Sequence, residues 1–262
     1  MTRIEKKFAA LKEAKKKGLV IYLMAGVPDA KGTVEAVKMA ERAGADFIEI
    51  GLPFSDPLAD GPVIQAAGIR ALKGGMTLAG VLEMVKEIRK FTEIPLIGMG
   101  YINNVLHYGA EKFVADAKAA GMDGAILPDV PHEESAELRK ICASQDFRLI
   151  EFVTPGTTPD RLAQTCESAN GFIYAVSVNG VTGEKKIDYS IIGSVARKVR
   201  QETDVPIAVG FGIGSPEAAV DAAKDADAVI VGSAVVRRLM DGKMREAEDF
   251  VASLRRALDA AD

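Results

Sequence analysis

The feature that most constrains the fold is an alternation. Eight short runs, at residues 20–25, 47–51, 96–101, 124–128, 149–153, 171–176, 207–210 and 228–231, are apolar almost throughout. A strand with one wet face alternates apolar and polar residues; these do not, so they read as parallel strands buried on both faces. The longer segments between them are amphipathic and mostly read as helices. Val34, Val37 and Ala40 set one apolar stripe, which Gly44 closes, and comparable helix ends recur at Gly121-Met122-Asp123 and Asp225-Ala226-Asp227. Eight such units in 262 residues fit a closed (β/α)8 barrel of the α/β class, a TIM barrel, which typically needs about 250 residues. The expectation is one domain spanning residues 1–262. An open doubly wound sheet is the other candidate, but no Gly-x-Gly-x-x-Gly follows the first strand.

Two features go beyond a plain barrel. Ile4, Phe8 and Leu11 stand at i, i+4 and i+7, which predicts an amphipathic helix before the first strand, suited to plug the bottom of the barrel. Between the second and third strands there is room for two helices, split at Gly74-Gly75, with Thr77 as N-cap of the second.

Composition narrows the function by exclusion. A net charge of −4 gives no footprint for nucleic acid or an anionic membrane surface. No apolar run reaches the roughly 18 residues that suggest a membrane span. The start, Met1-Thr2-Arg3-Ile4-Glu5-Lys6, is charged and lacks the apolar stretch of a signal peptide, so a cytoplasmic protein is expected. Cys142 and Cys166 fall in predicted helices without metal or redox spacing and read as reduced thiols; no metal site is expected.

Ligands of such barrels sit at the C-terminal ends of the strands, with phosphate commonly after strands seven and eight. Strand seven runs into Gly210-Phe211-Gly212-Ile213-Gly214-Ser215-Pro216, where glycines let the backbone approach an anion, Ser215 can cap the next helix and Pro216 suits its first turn. Strand eight runs into Gly232-Ser233-Ala234, again a small-residue entry to a helix. Gly183, after strand six, offers a further N–H. Each loop alone could be a tight turn; together they point to phosphate.

Glu49 interrupts an apolar strand, Phe47-Ile48-Glu49-Ile50-Gly51. Burying a carboxylate is costly unless it is paired or protonated, and none of the eight runs contains a lysine or arginine. Desolvation would raise its pKa toward neutrality, which suits a proton shuttle. Asp60, before Gly61-Pro62, could equally cap a helix, and Asp56 could start a turn at Pro57. Asp129 could reach the barrel mouth or serve a turn. His107 and His132 read as satisfied surface histidines.

The string Gly51-Leu52-Pro53-Phe54-Ser55-Asp56-Pro57-Leu58-Ala59-Asp60-Gly61-Pro62-Val63-Ile64-Gln65 closely resembles the signature of the tryptophan synthase alpha chain family. Asp129-Val130-Pro131-His132-Glu133-Glu134-Ser135, Val181-Thr182-Gly183, Val209-Gly210-Phe211-Gly212-Ile213 and Val231-Gly232-Ser233-Ala234-Val235 follow in the family's order, so the resemblance covers essentially the whole chain. It implies a lyase of tryptophan biosynthesis, cleaving indole-3-glycerol phosphate to indole and glyceraldehyde 3-phosphate by a retro-aldol reaction. By position, Glu49 matches the acid/base and Asp60 the carboxylate that meets the indole N–H. Tyr174 matches a tyrosine beside Glu49, and Thr182 a loop threonine that bonds the Asp60 position. Gly183, Gly212, Gly232 and Ser233 match the phosphate cradle; Tyr22, Tyr101, Phe152 and Phe211 match indole-pocket residues. The resemblance further implies no cofactor in this chain, and a beta-subunit partner carrying pyridoxal phosphate in an alpha2beta2 heterotetramer. Met24 and Val27 stand where the family usually has threonine and aspartate. The polar, glycine-rich segment 177–189 reads as a lid. Other readings are a stand-alone lyase releasing indole, a silent barrel that activates a beta subunit, and a sugar-phosphate isomerase. The presence of both Glu49 and Asp60 disfavours the silent barrel, and the signature disfavours the isomerase.

Overall fold

The computed structural model describes residues 1–176, 190–210 and 212–261. Strands β1 (Gly18–Met24), β2 (Phe47–Gly51), β3 (Leu96–Met99), β4 (Gly124–Ile126), β5 (Arg148–Val153), β6 (Ile173–Val176), β7 (Ile207–Gly210) and β8 (Ala228–Val231) are parallel and close in chain order, β1 pairing with both β2 and β8. Among the described residues twelve helices surround or cap them: α1 (Arg3–Glu13), α2 (Ala30–Arg42), α3 (Pro62–Lys73), α4 (Leu78–Arg89), α5 (Ile102–Tyr108), α6 (Ala110–Ala120), α7 (Ala136–Ser144), α8 (Pro159–Ser168), α9 (Ser190–Glu202), α10 (Pro216–Ala223), α11 (Ser233–Met240) and α12 (Met244–Ala260). The (β/α)8 barrel, its extra N-terminal helix and the extra helix between β2 and β3 are thus all present. No helix among the described residues is long and apolar enough to cross a membrane.

Strand ends differ from the apolar runs for local reasons. β3 stops at Met99 because Tyr101 turns to become the N-cap residue of α5. β4 stops at Ile126, before the turn in which Val130 N–H bonds the Leu127 carbonyl. β5 starts at Arg148, so one strand does contain a cation. It lies at the far end from Glu49, where its Nε donates to Glu5 of α1 at 2.8 Å.

Side-chain parity separates two cores. Outward residues pack under the helices, while Val20, Phe47, Ile97, Ile126, Ile150 and Ala208 fill the inside of the barrel. The N-terminal helix closes the bottom of this inner core. Thr2 and Glu5 cap α1 reciprocally, and its stripe of Ile4, Phe8 and Leu11 is buried. The Phe8 ring centroid lies 4.6 Å from that of Phe47 and 5.9 Å from that of Phe172. Burying one such side chain contributes roughly 1.5–3 kcal/mol. With the N-terminal end sealed, the open mouth is the C-terminal end. Thr77 and Ser215 are N-caps as expected, accepting from Gly80 and Ala218 N–H.

Candidate active site

Glu49 shares the inward parity of Phe47, two residues further toward the open end. The register sets it beside Tyr22 of β1 and Ile97 of β3. It is only 3% exposed, and its Oε2 has no hydrogen-bond partner among the described residues. Burial, then the charge of Asp60, pushes its carboxyl from the ordinary 4.5 up to about 8. At neutral pH the group is therefore a carboxylic acid.

Asp60 sits in the loop between β2 and α3. The capping alternative does not hold: Gly61 is the N-cap residue of α3, Pro62 opens the helix, and no side chain caps it. The Asp60 side chain is left to face the same cavity as Glu49. Burial raises its carboxyl to about 6, while a hydrogen bond from Tyr101 holds it below what burial alone would give. Tyr101 pins this loop at two further points. Its hydroxyl accepts from Ala59 N–H at 3.1 Å, and its ring stacks on Phe54 with centroids 5.2 Å apart. The two carboxyls thus differ at pH 7, Glu49 protonated and Asp60 ionised.

Tyr22 and Tyr174 are buried and face these carboxyls, and burial raises both phenols well above their ordinary range. Phe152 stands behind Tyr174, the rings stacked at 5.0 Å.

The glycine-rich side of the cavity comes from β7 and β8. Gly212 has φ +71°, a conformation that favours glycine. A Cβ on Gly232 would come within 3.3 Å of the Tyr22 Cβ. Ser233 and Ala234 open α11, and their N–H groups have no carbonyl four residues back in the helix.

Tyr22, Glu49, Asp60, Tyr174, Gly212, Gly232 and Ser233 line one cavity of about 620 Å³. Tyr101 reaches it through Asp60, and Phe152 through Tyr174. Thr182, Gly183 and Phe211, with the whole segment 177–189, lie outside the described residues. Residues not singled out from the sequence also line the cavity: Met99 and Ile230 from the strands, Ile64 from α3, and Arg237 and Arg238 from α11. The inward strand parity could have found the first two.

Two further expectations are revised. Asp129 accepts from Ile102 N–H with both carboxylate oxygens, at 3.0 and 3.1 Å, and so holds the start of α5. His132 is satisfied, as expected, but it does not lie on the surface: its side chain is 11% exposed, its Nδ1 lying 3.5 Å from Glu151 and 3.1 Å from Arg139. Glu151 points outward from β5, away from the barrel interior, and His132, Arg139 and Ser168 surround it beside a second cavity of about 300 Å³. His107 is exposed, as expected, and Cys142 and Cys166 are free and buried.

A family model described as tryptophan synthase alpha chain matches residues 8–261. The chain belongs to the tryptophan synthase alpha chain family. The function that goes with membership is the alpha reaction, the lyase step that cleaves indole-3-glycerol phosphate in tryptophan biosynthesis, and the family implies a beta-subunit partner. The tryptophan synthase alpha chain of Desulfatibacillum aliphaticivorans is 47% identical over 237 residues, covering 90% of this chain and 89% of that one. A solved protein of Aquifex aeolicus VF5 is 39% identical with TM-score 0.92, covering 98% of this chain and 99% of that chain. Tryptophan synthase subunit alpha of Legionella pneumophila str. Paris is 34% identical with TM-score 0.92, covering 99% of each.

Proposed function

We propose that Glu49 and Asp60 divide the alpha reaction between them as acid/base and fixed anion. Indole is a poor carbanion, so its C3 must be protonated before the bond to the glycerol side chain can break. Glu49, neutral at pH 7, gives its proton to C3. The ring becomes an indoleninium cation with its charge on the N–H side, where the Asp60 carboxylate accepts the N–H and stabilises that charge. The Glu49 carboxylate then takes the proton of the side-chain hydroxyl. The C3–carbon bond breaks, its electron pair neutralises the ring, and indole and glyceraldehyde 3-phosphate result. The proton leaving the hydroxyl restores Glu49, so no net proton is consumed.

The single observation behind this division is that one cavity holds two buried carboxyls in different settings, Glu49 with an unpartnered Oε2 and Asp60 bonded by Tyr101; burial raises both, Glu49 further. Gly212, Gly232 and Ser233 hold the phosphate with N–H groups and a hydroxyl at the α11 terminus. Tyr22, Tyr101, Phe152 and Tyr174 shape the indole pocket, and the resemblance assigns further contacts to Thr182, Gly183 and Phe211. The chain uses no cofactor of its own. It acts in the cytoplasm within an alpha2beta2 heterotetramer whose beta subunit holds pyridoxal phosphate.

Indole release by Glu49→Gln, measured with and without a beta subunit, tests the reading. A neutral amide keeps the shape and loses the proton, so turnover falls by about 10²–10⁴-fold. Retention of more than about a tenth of turnover would remove Glu49 from the role.

A further inference from the structure

Among the described residues two cations line the active cavity, Arg237 and Arg238, both on α11, and their commitments differ. Arg238 donates to the Ala234 carbonyl at 2.6 Å and lies over the Phe250 ring, 4.2 Å from its centroid. The Arg237 side chain makes no hydrogen bond or ion pair among the described residues. Asp241, one turn further along, is not ion-paired with it.

Arg237 stands four residues after Ser233, so the two occupy one face of α11. Helical Cα–Cβ bonds tilt toward the N-terminus, and long side chains cover the turn before their own Cα. An arginine at 237 therefore leans over the turn that begins at Gly232 and Ser233. Its exposure puts the guanidinium at the lip of the cavity, while Glu49 and Asp60 are buried within it. The cavity is electrically polar, with anionic chemistry inside and an uncommitted cation at its rim.

We propose that Arg237 is a phosphate-binding residue, its guanidinium closing over a phosphate monoester seated at Gly232 and Ser233. This rests on the phosphate reading of those residues, and adds a cation to a cradle otherwise built from backbone N–H groups and one hydroxyl. Guanidinium offers a planar fork of donors that matches two phosphate oxygens. It also sets direction. A dianion is repelled by Asp60 and drawn to Arg237, so the ring end of the substrate, not the phosphate end, enters toward Glu49. Arg237 touches only the phosphate, whose charge does not change during cleavage, so it contributes to binding and not to the chemical step.

The test is titration of the purified chain with glycerol 3-phosphate, for wild type, Arg237→Gln and Arg237→Lys, at low and high salt, alongside steady-state kinetics. Arg237→Gln weakens glycerol 3-phosphate binding about five- to tenfold, the loss of one exposed charge-assisted contact. The KM for indole-3-glycerol phosphate rises in parallel while kcat stays within about twofold. Salt weakens wild-type binding more than that of the variant. Arg237→Lys recovers the salt dependence but only part of the affinity, since it lacks the fork. If Arg237→Gln binds glycerol 3-phosphate like wild type with the same salt dependence, the proposal is overturned while the cradle stands. If wild type itself does not bind glycerol 3-phosphate, the phosphate reading fails and the proposal with it.

Discussion

The Tyr174 hydroxyl occupies the space that a side chain at Gly210 would need: a Cβ there would fall inside the van der Waals radius of the oxygen and against the ring. Tyr22 stands in the same relation to Gly51. Two glycines at the C-terminal ends of β7 and β2 thus clear room for the two phenols that face the Glu49 carboxyl. Gly210→Ala forces Tyr174 aside. Overpacking of this kind typically costs about 1–3 kcal/mol. We expect a lower melting temperature, and a turnover that falls more than this loss of stability explains. Thermal unfolding and kcat measured together check it; a fully active Gly210→Ala would mean that the position of Tyr174 does not matter.

Tyr101 gives a pH-dependent test. Its hydrogen bond favours the Asp60 anion, so Tyr101→Phe lets the Asp60 carboxyl rise further above about 6. The acidic limb of the kcat/KM profile, where Asp60 must ionise, then moves to higher pH. Ala59 N–H also loses its acceptor, which loosens the loop. A profile recorded from pH 5 to 9 reads the shift, and an unmoved acidic limb would separate Tyr101 from Asp60.

The strands were legible because a doubly buried strand leaves an unbroken apolar run, and the α1 stripe because its spacing admits only one buried face. Strand ends were not, since Tyr101 is apolar enough to extend a run yet turns to begin α5. Glu49 and Glu151 show what a sequence signal can carry. Each interrupts an apolar strand, but Glu49 has the parity of Phe47 and points into the barrel, whereas Glu151 has the opposite parity to Ile150 and meets Arg139 and His132. Parity and partners together, not the apolar context alone, separate an acid/base from a structural ion pair. The burial of His132 was not legible, because its partner lies 19 residues away on another element. Arg237 was invisible for a different reason: a charged residue on a surface helix reads as a solvated face until the cavity it borders is known.

Phe8 tests the plug. Phe8→Ala opens a hole where α1 meets Phe47 and Phe172, and truncations of this kind cost about 3–5 kcal/mol. The substitution lies at the sealed end, so KM and kcat under folding conditions should change little. Urea denaturation with parallel kinetics checks it. Unchanged stability would mean that α1 is an ornament to the barrel and not its floor.

The central claim is that one cavity keeps Glu49 protonated and Asp60 ionised at neutral pH. Carbon-13 NMR of the carboxyl carbons, assigned by Glu49→Gln and Asp60→Asn and followed from pH 4 to 10, reads both protonation states directly. The account predicts that the Glu49 signal titrates at about 8 and the Asp60 signal at about 6. A Glu49 signal that titrates near the ordinary 4.5 would contradict it, because the group would then reach neutral pH as an anion with no proton to give.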